Sequence, residues 1–487
     1  MKKTDLVGFI INPLLVSGLG SAAYGIWQVL GRLIGYISPA SGRPTQTLKW
    51  TIANKQSSED YNEKRTFVGS TIVISLLFSP VLAILGGVVS WYAPEWLDVA
   101  ADFSSAVRIA TGLLVANLIM ITLVDIPRSV LEGENLGYKR MGLSASLVIV
   151  GGLLTGLALY FNTGLIGIAS ATLATTILTG IFFLKIVKSY VHWFGIARPS
   201  IETIRKFFTL SGWFLVWHLI MRFMNGSDVV ILGVFDSVEL VTSYTLTKYV
   251  ADIMVNFVFL VVLGVIPGLG GIIGSGDHDK AAHLRNEIMI FSWILVTVVG
   301  STILMWNKAF LMLWVGAEYY AGPIPNLLIV ILVMQFILIR NDANIIDLTL
   351  KLKQKVLLGL LSVTVCVASA SVLVYYFQMG IIGICLGFIA GRSILSISYP
   401  RLIGKFLNRS GKNQFINILR PALVTVLMFS LAIFVIDFLP SATWLSLPFF
   451  IFITIIVFGA ITFYTGISRG QQDQIINRAK KLKQSYF

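Results

Sequence analysis

The sequence predicts an all-α polytopic membrane protein of about 14 transmembrane helices, built as two parallel six-helix lobes plus an extra C-terminal pair. Three observations carry this. Hydrophobic residues make up 56% of the 487 residues and charged residues only 12%, half of the roughly 25% that keeps a soluble domain solvated. Mean hydropathy is accordingly +0.84. The apolar residues fall in successive runs of about 20, enough helix to cross a hydrocarbon layer ~30 Å thick. Finally, the second six runs repeat the first six. The same composition excludes a disordered chain, a disulfide scaffold, a collagen and a nucleic-acid-binding domain. The two cysteines, Cys366 and Cys385, lie inside apolar runs without ligand-like spacing and read as small buried hydrophobes.

In chain order the spans are 6–19, 24–40, 67–90, 106–128, 142–160, 164–187, 208–234, 243–266, 287–306, 323–347, 356–376, 380–400, 419–438 and 446–466. The first is short. Lys2-Lys3, an apolar run and Ser21-Ala22-Ala23 imitate a signal peptide, but the next run starts at once at Tyr24 and cleavage would break the repeat, so retention is expected. Pro39, Gly42 and Pro44 interrupt the end of span 2, Pro127 falls in span 4, and Pro267-Gly268-Leu269-Gly270-Gly271 is expected to end span 8. Asn162-Thr163-Gly164 and Gln378-Met379-Gly380 make tight turns. Residues 468–487 form a basic tail.

Of the 37 Lys and Arg residues, 30 fall at alternate connections, among them Lys49, Lys64, Arg140, Lys188, Arg205, Arg401 and Arg469, while the opposite connections hold Lys308 and several acids. By the positive-inside rule both termini are cytoplasmic, in the inner membrane of a cell. The net charge of +14 is thus a topology signal with some attraction to membrane lipids, and no nucleic acid is implied.

The repeat is read from Tyr160-Phe161-Asn162-Thr163-Gly164-Leu165-Ile166-Gly167-Ile168, which matches Tyr376-Phe377-Gln378-Met379-Gly380-Ile381-Ile382-Gly383-Ile384 at an offset of 216. Asn62-Glu63 parallels Asn286-Glu287, and Tyr24 parallels Tyr244. An even number of spans per repeat keeps both halves parallel, about an axis along the membrane normal. The expected domains are an N-lobe at 1–190, a C-lobe at 207–402 and an extra helix pair at 415–467.

No phosphate-binding loop or metalloprotease motif is present. Asp277-His278-Asp279 with His283 reads as a solvated loop. The chemistry lies in ionisable residues within apolar spans, each costly in lipid and therefore facing a cavity or a partner. Arg32, Arg222, Arg340 and Arg392 have no opposite charge three or four residues away. Guanidinium forks suit phosphate oxygens, so these four with Lys248 predict a cationic cleft for an anionic substrate such as a phosphate or pyrophosphate. The competing reading is structural ion pairing, for which Lys248 and Asp252, four apart, are the best candidates. Asp228, Asp252 and His218 are candidates for coupling to H+ or Na+. No metal or other cofactor is expected.

Ser227-Asp228-Val229-Val230-Ile231-Leu232-Gly233 through Tyr244, Val265-Ile266-Pro267 with Gly276-Asp277, and Gly20 through Tyr24-Gly25-Ile26-Trp27 resemble the polysaccharide flippase branch of the multidrug/oligosaccharidyl-lipid/polysaccharide exporter superfamily. The resemblance spans nearly the whole chain through its repeat. It implies two MATE-like lobes with alternating access, and no enzyme. It also implies translocation of a polyprenyl-pyrophosphate-linked oligosaccharide from the inner to the outer leaflet for O-antigen, capsule or exopolysaccharide assembly. Polysaccharide polymerase and assembly proteins would be partners. Spans 13 and 14 are shared with lipid II flippases, so a lipid II flippase and a multidrug or cation antiporter of the same fold stay open as alternatives.

Overall fold

The computed structural model describes residues 3–42, 44–55, 58–274, 277–348, 352–407, 411–436, 442–470 and 472. Over these the chain is α-helical, with short 3-10 turns and no strand. In order come α1 (Lys3–Leu19), α2 (Ser21–Ile37), α3 (Pro44–Asn54), α4 (Tyr61–Trp96), α5 (Ala101–Gly133), α6 (Met141–Tyr160), α7 (Gly164–Tyr190) and α8 (Ile201–Phe235). They continue with α9 (Val238–Gly274), α10 (His278–Trp314), α11 (Pro323–Leu348), α12 (Leu352–Tyr375), α13 (Gly380–Phe406), α14 (Gly411–Val435) and α15 (Ser446–Gly466). Every predicted span has a helix. Nine helices among the described residues are long and apolar enough to cross a membrane. The unpredicted helix is α3, 11 residues whose polar composition carries no hydropathy signal.

Several helices outrun their apolar spans. The 36 residues of α4 would reach about 54 Å at 1.5 Å per residue, so its ends extend well beyond a hydrocarbon core. Side-chain caps fix these polar extensions: Asp60 accepts from the Glu63 N–H at the start of α4, and Asp277 from the Lys280 N–H at the start of α10. These caps set the two helices 217 residues apart, so the Asn62–Asn286 match is displaced by about two turns. The tight-turn repeat holds in detail. Asn162 and Gln378 both have positive φ (53° and 54°), as do Gly164 and Gly380 (58° and 49°), and α7 and α13 each run 27 residues.

Prolines divide into two cases. After α2 the chain makes a 3-10 turn over Ser38–Ser41, Gly42 takes φ 68°, and α3 begins at Pro44, so this interruption is as expected. The expected stop at Pro267 does not occur: α9 continues to Gly274. A proline removes one backbone donor, and in a membrane bundle neighbouring helices tolerate that loss without ending the helix. Pro127 is likewise inside α5.

The chain forms two compact units, Lys2–Thr242 and Ser243–Phe487; by contacts, α8 belongs to the first. There α5 packs against α3, α4 and α7, and α2 packs against α8. One core cluster joins Leu48, Val68, Ile126, Val130, Val187 and Trp193. Its polar edge is tied by buried Lys64, 3.0 Å from Glu134, which also accepts from the Trp193 indole at 3.0 Å. Beside it Glu132 accepts from Lys49, Arg128 and Arg140.

In the second unit α12 and α13 meet at backbone distance. A Cβ on Gly387 would lie 2.5 Å from Ala370 and one on Gly391 2.5 Å from Cys366, so only glycine fits. The predicted extra pair, α14 and α15, packs on α10. Thr297 and Thr425 hydrogen-bond at 2.7 Å, and the Trp306 indole donates to Thr454 at 3.0 Å. The ion pair holding α10 to α11 was not anticipated. Arg285 donates to Asp342 through Nε at 2.9 Å and Nη2 at 3.0 Å, with both residues buried.

Asp342→Ala should destabilise the protein by about 3–5 kcal/mol, because it strands a buried guanidinium. Arg285→Met combined with Asp342→Leu should recover most of that loss. Thermal unfolding of the detergent-solubilised variants reads both effects.

Candidate functional site

In the first unit α2 and α8 lie against each other, and each carries a mid-span arginine to the shared surface. On α2, Gln28, Gly31, Arg32, Gly35 and Tyr36 follow three- and four-residue spacings and so occupy one face; on α8, Arg222, Asn225 and Gly226 do the same. With Trp27 and Leu114 they line a recess of about 270 Å³. Two of its lining residues are cationic and none is acidic.

Hydrogen bonds and stacking hold the two helices in register. Arg32 Nη1 donates to the Asn225 carbonyl at 3.2 Å. The Tyr36 hydroxyl donates to Ser227 Oγ at 2.9 Å, and Ser227 donates on to the Phe223 carbonyl at 2.8 Å. The Tyr36 and Phe223 rings stack at 4.6 Å and 9°. Asn225 turns its side chain back to its own helix, donating to the Met221 carbonyl at 2.9 Å. The glycines leave room for the cations: a Cβ on Gly35 would sit 3.6 Å from Arg222 Nη1, and one on Gly226 3.4 Å from Arg32 Cδ. Gly31 opens into empty space, with nothing within 4 Å of an added Cβ. Gly25 has the opposite role, since its missing Cβ admits the Val238 carbonyl.

Arg222 is exposed and Arg32 half-buried. Neither has a carboxylate ion-pair partner among the described residues, and the two guanidiniums repel each other. Two like charges held together without a counter-charge favour an anion between them. Guanidinium forks are donors of the kind that phosphate oxygens accept.

Of the five predicted cleft cations, the structure thus brings Arg32 and Arg222 to one recess. The others lie in the second unit. The Arg340 guanidinium is 4.8 Å from the Phe259 ring. Arg392 is only 3% exposed, donates to the Leu332 carbonyl at 3.3 Å and lies over the Phe336 and Phe388 rings at 5.0 and 5.4 Å. Lys248 lies over the Tyr244 ring at 5.2 Å and shares an α9 face with Asp252; both are half-buried. Asp228 is 1% exposed in α8, beside Ser227, and accepts from the Val229 N–H at 3.0 Å. The His218 side chain lies outside the described residues. Reading the sequence for charge missed Tyr36, Phe223 and Ser227. The available signal was the Gly31, Gly35 pair flanking Arg32 at helical spacing.

No family model and no curated protein matches the sequence. The fold is nevertheless shared with solved transporters. The lipid II flippase MurJ in an inward closed conformation aligns with TM-score 0.72 at 13% identity, covering 95% of this chain and 97% of that one. An inward-facing multidrug resistance MATE family transporter of the MOP superfamily aligns with TM-score 0.66 at 14% identity, covering 84% and 95%. A Pyrococcus furiosus MOP superfamily transporter, described as having a binding pocket of reversed polarity, aligns with TM-score 0.54 at 16% identity, covering 83% and 93%.

Because the space at Gly31 is open, Gly31→Phe should fill the recess at a stability cost within about 1 kcal/mol. In the parent protein pyrophosphate should slow phenylglyoxal modification of Arg222. In the variant that protection should disappear, as read by peptide mass mapping, with the unfolding midpoint as the control.

Proposed function

We propose that this protein is a flippase of the MOP type. On this reading it moves polyprenyl-pyrophosphate-linked oligosaccharide units from the inner to the outer leaflet of the cytoplasmic membrane, for polysaccharide assembly. The observation that carries the proposal is the recess where Arg32 and Arg222 converge with no acidic lining residue. Such a site attracts the pyrophosphate of a lipid-linked sugar and repels the cationic substrates of a drug antiporter. The fold likeness to MATE transporters and to MurJ supports the transport reading. Both termini are placed on the cytoplasmic side, following the basic connections.

The physical task is to carry a charged headgroup across hydrocarbon while its polyprenyl tail stays in the bilayer. Born cost forbids the bare crossing. Guanidinium forks replace the water that solvates the phosphate oxygens, and the half-exposed arrangement lets the headgroup leave again. Glycines at positions 31, 35 and 226 keep the walls low enough for a pyrophosphate to approach. Asp228 and Asp252 are proposed to couple the cycle to H+ or Na+, with His218 as a further candidate. A lipid II flippase would use the same arginine chemistry, and the MurJ structure covers 95% of this chain against 84% for the MATE structure. That likeness favours lipid II as the second reading.

Purified protein in liposomes, with a fluorescent polyprenyl-pyrophosphate oligosaccharide loaded in one leaflet, should expose the label to an impermeant quencher faster than empty liposomes. Arg222→Ala should slow exposure about 10- to 100-fold, the value of a lost charge-assisted phosphate contact. Lys185→Gln, far from the recess in sequence, should leave the rate unchanged. Competition with unlabelled lipid II ranks the two substrates. A wild-type rate from Arg222→Ala at equal protein level overturns the assignment of this site.

A further inference from the structure

A second recess, of about 390 Å³, lies on the outer surface of α12 and α13 within the second unit. Ser398, Arg401 and Lys405 line it from successive turns of α13, with Leu402 among them, and Gln354 lines it from the first turn of α12. Leu357 and Leu358 supply the apolar lining from α12. From there the apolar surface continues along α12: Leu357 is 56% exposed and Leu361, one turn on, 52%. A hydrophobic track therefore leads away from a pair of exposed cations.

These cations have no ion-pair partner among the described residues. No Asp or Glu occurs between Asp347 and Asp437, so α12, α13 and α14 carry no carboxylate of their own. The neighbouring helices cannot neutralise Arg401 and Lys405 from within this stretch. The close glycine contact of α12 with α13 fixes both walls, so the recess is a feature of the packed pair. The recess lies at the start of α12 and the end of α13, where the basic connections of the sequence are expected to meet the membrane surface.

We propose that this recess binds the headgroup of an anionic phospholipid. The phosphate oxygens accept from the Arg401 guanidinium and the Lys405 ammonium. Gln354 and Ser398 meet polar groups of the headgroup, and an acyl chain lies along Leu357 and Leu361. Cations on α13 beside exposed leucines on α12 argue for a lipid over a free phosphate, which has no use for the leucine track. This site is independent of the arginine pair on α2 and α8, and its test does not involve translocation.

Native mass spectrometry of the detergent-solubilised full chain, titrated with dioleoyl phosphatidylglycerol or dioleoyl phosphatidylcholine, provides the measurement. Phosphatidylglycerol should be retained in preference. Arg401→Gln combined with Lys405→Gln should weaken it roughly 30-fold, at about 1 kcal/mol for each membrane-surface cation, and abolish the preference. Leu357→Asn, which keeps both cations, should weaken both lipids several-fold. The charge-matched pair Lys185→Gln and Lys188→Gln, on exposed α7 positions, should change nothing. Equal retention of the two lipids, an unchanged double variant, or an equal loss in the charge-matched control each overturns the proposal. Displacement of phosphatidylglycerol by millimolar inorganic phosphate overturns the lipid assignment in favour of a phosphate site.

Discussion

The cost of an unsolvated charge governs most of this structure. A chain this apolar has few charges to place, and each inside a helix bundle needs a partner. Three local solutions are visible. Arg285 and Asp342 form a two-point ion pair between α10 and α11. Lys64 meets Glu134 under the Trp193 indole. Arg392 donates to a carbonyl and contacts two phenyl rings. Arg32 also donates to a carbonyl, that of Asn225, but neither it nor Arg222 has a carboxylate ion-pair partner among the described residues. Their guanidiniums share a recess with no acidic lining residue.

Backbone proximity is the second condition. Helices pack closely only where a side chain is missing, and the glycines are placed accordingly. Gly25 admits the Val238 carbonyl, while Gly387 and Gly391 bring α13 onto α12. Gly31, Gly35 and Gly226 act the other way, leaving volume unfilled beside the cations. One residue type therefore closes helix contacts in one place and holds a cavity open in another. The difference lies in whether the neighbouring element supplies a backbone or a long side chain.

The polar helix ends form a third layer. Asp60 and Asp277 cap α4 and α10, and the turns at Asn162 and Gln378 repeat the same left-handed backbone. These features keep the internal repeat recognisable where the side chains have diverged. They also explain why hydropathy underestimates helix length: caps and surface ion pairs extend α4 and α10 through polar sequence that no apolar window detects.

What the sequence determined by itself is the all-α membrane class, the helices that occupy its apolar runs, and the matching tight turns at Asn162 and Gln378. Each depends on a local quantity: apolar run length, or a Gly, Asn or Gln at positive φ. The sequence also marked Arg32 and Arg222 as costly residues lacking a helical neighbour of opposite charge. It did not pair them with each other, because residues 190 positions apart meet only through the packing of α2 on α8. The same limit hid the Arg285–Asp342 pair, the continuation of α9 through Pro267 and the differing surroundings of Arg392 and Arg222. In each case the outcome rests on which helix lies alongside, and that choice is made by long-range packing of small residues and aromatic rings.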